Sequence, residues 1–267
     1  MKRFTTILAI AAVCLVAASC GQNKKNQKTV EQEKSQAELN QEALIKLHLD
    51  TLSNDISNLQ AMGVIANVKD GRIVLSEQEK KLKPDYLVDP SIADNLQTLS
   101  QKYRAIAILA CDKEIAKLYG MPTAAYDKAL IKLYADVNDS NLKDFIDSPG
   151  FGESLKTYYQ ASKDNGRAEL FWDATAAAIV EELYIASQNT EKFLAGFDDE
   201  AASNISYHIS LLSIAVEELA TINSEYESLN ESMQPLVVIN AINLDQLKEQ
   251  LSQMKSQISS TRGILTE

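Results

Sequence analysis

An all-α fold, an elongated multi-helix bundle of long amphipathic helices, is what this 267-residue sequence predicts. Three observations carry that prediction. Past residue 37, apolar residues recur at steps of three and four, the spacing that lays a stripe along one side of a helix. Glycine and proline fall almost wholly between those periodic segments, where helices end. Only one short stretch reads as strand: Lys69-Asp70-Gly71 sits between Val- and Ile-rich flanks, a small β-hairpin signal over 64–75.

The N-terminus stands apart from the bundle. Lys2 and Arg3 precede an uncharged run from Phe4 to Ala18, which suits a signal-peptide core and is short of the roughly 20 apolar residues of a spanning helix. Ala17-Ala18-Ser19-Cys20 follows. This segment resembles the lipobox of bacterial lipoproteins, with Ala17 where the usual pattern has leucine and Leu15 and Val16 just upstream. The resemblance covers the first 20 residues and implies cleavage before Cys20, a thioether-linked diacylglycerol on Cys20 and an acylated new amine. Several acyl chains anchor stably, at about 0.8 kcal/mol per buried CH₂. Residues 1–19 are then a signal peptide, 20–36 a lipidated polar tether and 37–267 the helical domain. As flexible chain the tether reaches roughly 20–25 Å. Gly21 is not the aspartate that keeps many lipoproteins at the inner membrane, and no acidic cluster follows to direct export to the cell surface. The resemblance therefore implies the outer membrane, facing the periplasm.

The helices follow in order. Ile45, Leu49, Leu52, Ile56 and Leu59 form one stripe from about Ala37 to Met62, closed by Gly63. Ser76 and Glu79 form a capping box for a short helix stopped near Pro84. Asp89-Pro90 reads as an N-cap followed by proline at the first helical position. The helix it opens, 90–119, is apolar on every side between Ala105 and Cys111, which places it at the centre of the bundle. Helices at 123–135 and around Leu142 to Ile146 come next, then Ser148-Pro149-Gly150-Phe151-Gly152, the strongest internal break and a candidate sub-bundle boundary. Leu155 to Ala161, Arg167 to Ala195, a helix capped at Asp198 or Asp199, and a last seam from Leu244 to Ile258 complete the chain. Val180-Glu181-Glu182-Leu183 recurs as Val216-Glu217-Glu218-Leu219, an echo too short to define a repeat.

Composition narrows the function classes. Loss of residues 1–19 leaves 248 residues and moves the net charge from −11 to −13, a poor match to nucleic acid, whose phosphates are held by Lys and Arg. Cys14 leaves with the signal and Cys20 carries lipid, so Cys111 is alone and no internal disulfide is expected. It lies in an apolar run, where a free cysteine behaves as a small hydrophobe. Gly-x-Ser-x-Gly, a P-loop, a dinucleotide fingerprint, Cys-x-x-Cys and His-Glu-x-x-His are all missing, and no cofactor or metal is expected.

Four features invite chemistry. His48 and His208 flank apolar stripes without the Glu-x-x-His spacing of di-metal bundles. Asp136 to Asp147 resembles a calcium loop at five positions, but Asn141 replaces the central glycine and Pro149 blocks the exit helix, so the expected role is a helix connection capped by Asp139. Glu181 falls amid the stripe of Leu170, Ala174, Ala177 and Tyr184. A carboxylate there marks a polar spot in a ligand pocket or meets a Lys or Tyr at the bundle edge. Finally, Phe145, Phe151, Tyr158, Tyr159, Phe171 and Trp172 gather six of seventeen aromatics within 28 residues, as a ligand or partner surface or as core. The long amphipathic helices, the missing catalytic motifs and the tether that the lipobox resemblance implies point to a non-enzymatic envelope lipoprotein that binds or scaffolds other proteins. The alternative is a binding module for a small apolar or aromatic ligand.

Overall fold

The computed structural model describes residues 35–58, 63–147 and 151–267, with the backbone alone at 147 and 151–154. The signal peptide, nearly all of the tether and Cys20 lie outside the described residues, as do Leu59 to Met62. Among the described residues the chain forms thirteen α-helices and no strand. The expected all-α bundle is what folds.

The outer layer begins with α1 (Gln36–Asn58), which buries Leu49, Leu52 and Ile56. The hairpin expected over 64–75 is replaced by α2 (Val64–Lys69). Gly71, at φ +69°, turns the chain so that the Arg72 and Ile73 N–H groups return to the Asn67 carbonyl. A left-handed glycine serves a helix end as well as a hairpin. The deciding partner is distant: Glu182, 118 residues on, accepts the Val64 N–H at 3.0 Å. No local pattern reveals that cap. Helix α3 (Glu77–Lys81) has the expected Ser76–Glu79 capping box.

The helix expected at 90–119 is two elements. Asp89 caps a 3-10 turn, Pro90–Asp94, and the α-helix restarts at α4 (Leu99–Leu118) behind a second capping box, Thr98 with Gln101. The apolar stripe ran through both, hiding the restart. The central position holds: Tyr103, Ile106, Ala107, Ile108 and Leu109 are wholly enclosed. Helix α5 (Ala124–Val137) ends at Asn138 in the left-handed conformation, and α6 (Ser140–Asp147) and α7 (Phe151–Asp164) follow.

Helix α8 (Ala168–Gln188), buried along nearly its whole length, lies against α4 and with it forms the axis of the molecule. It stops seven residues before the expected Ala195, because Asn189 leaves helical geometry and caps α9 (Thr190–Phe193). Helix α10 (Asp199–Ile222) is capped by Asp198. It is long and apolar enough to cross a membrane, yet its inner face, with Ile209, Leu212, Val216 and Leu219, packs against α1 and α8. Helices α11 (Glu227–Met233), α12 (Leu244–Gln253) and α13 (Lys255–Thr266) close the bundle, and Pro235 sits in a 3-10 turn. Two hydrophobic clusters share α4 and α8. Leu142 and Phe145 before the break at 148–152 lie in the same cluster as Leu155 and Tyr158 after it.

Candidate functional site

The aromatic segment is a ladder inside the core. Phe145 stacks on Tyr158 with centroids 4.7 Å apart. Tyr158 and Tyr159 both pack on Phe171, which meets Trp172 edge-on at 5.0 Å. All five are buried, and this is how aromatic rings fill a junction between helices. As a pocket for a ligand, Phe145, Tyr158, Phe171 and Trp172 are corrected to core. Phe151 is described by backbone alone. Tyr159 is the exception, because its hydroxyl reaches an open groove.

Glu181 does face the interior, wholly enclosed, and its partner is neither Lys nor Tyr. Arg262 on α13 donates to it twice, Nε to Oε2 at 2.6 Å and Nη2 to Oε1 at 2.8 Å. The same guanidinium reaches Asp112 Oδ2 at 3.3 Å and the Tyr86 carbonyl at 3.1 Å, and lies over the Tyr184 ring at 4.1 Å. Asp112 also accepts the Val88 N–H at 2.7 Å. Burial raises both carboxyls. Neighbouring Glu181 lifts Asp112 further, while Arg262 opposes. One cation thus ties α13 to α8, α4 and the 86–88 connection. Every arm of it is spent on the protein, so the cluster is a clasp.

Glu182, the next residue, meets no cation at contact distance among the described residues. Its carboxylate sits on Gly63, where a Cβ would lie 2.3–2.7 Å from it, and caps α2. Burial raises this carboxyl to about 7 against the opposing N–H groups of Val64 and Ile65. Its Oε1 and the Thr175 hydroxyl are enclosed without a protein partner. Both line a cavity of about 40 Å³ with Ile179, Ile205 and His208, room for about two or three waters. His208 donates Nε2–H to the Ile56 carbonyl at 3.3 Å, and burial lowers it to about 4. His48 pairs with Glu218. Cys111 is enclosed, and burial pushes its thiol well up, away from reactivity.

The calcium-like loop is committed to capping. Asp139 accepts the Asn141 N–H at 3.0 Å and the Tyr103 hydroxyl at 2.7 Å, and Asp136 pairs with Lys102. Among the described residues no group of three or more His, Cys, Asp or Glu side chains is arranged to hold a metal.

Among the described residues the larger open clefts form a polar groove, of whose lining the expected binding residues include only Tyr159. Two adjoining clefts of about 450 and 630 Å³ share Asp50, Tyr159 and Lys163. Helix α1 supplies Lys46 and Asp50, α7 supplies Lys156, Gln160 and Lys163, α8 opens with Glu169, and α10 ends beside Asn223 and Tyr226. Asp50 accepts the Tyr159 hydroxyl at 2.6 Å and the Lys163 ammonium. Burial works to raise Asp50, but those two bonds outweigh it and hold the carboxyl below its ordinary value. At the floor Asp173 is fully enclosed between Arg104, 2.6 Å away, and the Tyr226 hydroxyl at 2.9 Å. Burial raises Asp173 and Arg104 opposes. The groove therefore offers charges of both signs and two tyrosine edges, most of them on packed helices, with Tyr226 in the 3-10 turn after α10. That arrangement suits recognition, since rigid elements set geometry better than loops.

No protein-family model, curated protein or solved structure matches this chain.

Proposed function

We propose that the protein is a lipid-anchored component of the cell envelope, held at the outer membrane through Cys20 and facing the periplasm, that works by holding another protein. The observation that carries this reading is the groove along α1 and α7. It is open, mixed in charge and built largely on packed helices, features of a surface that reads a polypeptide rather than of a closed reaction chamber. The ionisable groups deepest in the bundle support it from the other side. Glu181, Asp112 and Asp173 are tied to arginines, Glu182 caps α2 and Cys111 is enclosed. The net charge of −11 for the whole chain speaks for a protein partner over nucleic acid.

The small-ligand alternative has weaker support. Of the aromatic residues named for it, Phe145, Tyr158, Phe171 and Trp172 fill the core, and the apolar cavity, at about 40 Å³, is far below the roughly 300–1,000 Å³ of ordinary ligand pockets.

The test is site-specific photocrosslinking in cells. A photoreactive residue at Gln160, exposed in the groove, is expected to trap a discrete protein adduct. The same residue at Val74, 68% exposed between α2 and α3, is expected to trap none. Equal labelling at both positions, or none at Gln160, would remove the groove as the binding surface.

A further inference from the structure

Helix α1 carries two apolar faces. The inner one, Ile45, Leu49, Leu52 and Ile56, packs on the bundle. The outer one is confined to the first half of the helix. Counting about 100° per residue, Leu39, Ala43, Leu47 and Leu44 fall within roughly 140° of arc, centred opposite the inner stripe. Leu39, Leu44 and Leu47 are 46%, 67% and 63% exposed. Two turns beyond Leu47 the same outward line carries Asn54, then Asn58, with Asp50, Thr51 and Asp55 at its sides. The same arc also holds Gln36 and Asn40, which bond to each other at 3.0 Å, so the outer face is leucine-rich with one polar pair in the first half and polar throughout from Asp50 to Asn58; the leucine-rich half is the end that joins residues 20–34.

We infer that the outward face of α1's first half, Leu39, Ala43, Leu44 and Leu47, rests on the lipid bilayer to which the chain is tethered. The inference depends on the lipid-anchor reading of Cys20. With lipid on that residue, 15 residues separate the anchor from the first turn of α1, a chain length that spans at most about 50 Å. The patch therefore stays within one tether length of the membrane. Residues 20–34 also hold Lys24, Lys25, Lys28 and Lys34 against Glu31 and Glu33, a net positive segment in an acidic chain. It is the one part of the mature sequence suited to approach an anionic lipid surface. A second copy of the chain fits the patch less well. Three leucines fall far short of the roughly 1,200 Å² that a specific protein interface buries. A bilayer asks less, because the acyl chains hold the protein and the leucines need only orient it.

The experiment uses the full mature chain coupled through Cys20 to a maleimide lipid in phosphatidylethanolamine–phosphatidylglycerol vesicles with brominated acyl chains. Coupling in vitro makes the result independent of whether cells lipidate Cys20. That question is answered separately by fatty-acid labelling of wild type and Cys20→Ser. Leu47→Trp is compared with Asn54→Trp, on the same outward line, and with wild type, whose single tryptophan, Trp172, is enclosed. Bromolipid is expected to quench Leu47→Trp emission about twofold and to leave Asn54→Trp and wild type within a tenth of their values in unbrominated vesicles. Quenching of Leu47→Trp no greater than that of Asn54→Trp would overturn the inference. So would a vesicle-free blue shift of Leu47→Trp that grows with protein concentration as the scattering mass doubles, since a second copy would then cover the face.

Discussion

Glu181 and Glu182 are neighbours on α8, both with enclosed carboxylates, and the fold treats them oppositely. Glu181 is met by a bidentate arginine that also reaches Asp112, and its charge is balanced within 3 Å. Glu182 is met by backbone N–H groups at the start of α2 and by an apolar cavity. Side-chain direction separates them, since consecutive residues on a helix point about 100° apart. A carboxylate facing a cation becomes a structural tie. One facing only peptide dipoles stays titratable, and burial carries it to about 7. The echo on α10 shows the same sequence in a third setting. Val216 and Leu219 are buried as Val180 and Leu183 are, but Glu217 is exposed and Glu218 pairs with His48. The tetrapeptide sets which side turns inward. What covers the other side decides the chemistry of its glutamates.

The largest effect should come from removing the cation. Arg262→Met leaves Glu181 and Asp112 buried without a counter-charge and is expected to cost about 3–5 kcal/mol in urea unfolding. Adding Glu181→Gln should return at least half of that loss, because the worst-placed charge is then gone. A cost below about 1 kcal/mol for the single variant would mean that the clasp is solvated.

The second prediction concerns pH. Glu182, raised to about 7 by burial, stays protonated in the folded chain where the unfolded chain ionises it, above about 4.5. Its contribution to stability is whole below about 4.5 and is lost as pH rises through about 7. His208, lowered to about 4 by burial, behaves in mirror image: its contribution is whole above about 6.5 and is lost as pH falls through about 4. Both line the same cavity, and between about pH 4.5 and 6.5 their slopes cancel, one proton leaving the histidine as one joins the glutamate. Relative to wild type, Glu182→Gln should therefore gain about 2–4 kcal/mol from pH 4.5 to 8, and His208→Gln a similar amount from pH 7 down to 4. Urea melts at half-unit pH intervals test both. A difference that does not vary with pH would place that side chain in water.

The smallest effect is steric. Gly63 has an ordinary φ of −80°, so only space excludes a side chain there. In Gly63→Ala the new methyl meets the Glu182 carboxylate, a flexible group that can swing aside and release the Val64 N–H. The cost should be about 1 kcal/mol, the worth of one such hydrogen bond, and should vanish in Glu182→Gly, where the obstacle is missing. Equal costs in both backgrounds would separate the glycine from the glutamate.

How much of this was legible follows from distance along the chain. The inward face of Glu181, the burial of 105–111 and the caps at Ser76, Asp89 and Asp198 are local patterns, and the sequence reading found them. Arg262 lies 81 residues from Glu181, and Glu182 lies 118 residues from Val64, so neither the clasp nor the α2 cap leaves a periodic trace. The aromatic cluster was legible as a cluster, but its role as core depended on α6, α7 and α8 converging. The groove was hidden because its charges are dispersed over α1, α7, α8 and the end of α10, each looking like an ordinary solvated residue. Thr98 and Gln101 were the readable sign that 90–119 is not one helix, masked by an apolar stripe that crosses the break in register.

The clasp also sets an order of events during synthesis. Asp112 precedes Arg262 by 150 residues. At roughly 5–20 residues per second, on the order of ten to thirty seconds pass between the making of that aspartate and of its cation. For the last 81 residues of that interval both axial helices carry an acidic group, Asp112 on α4 and Glu181 on α8, with no cation to close on. The centre of the bundle therefore lacks its balancing cation until the last helix is made.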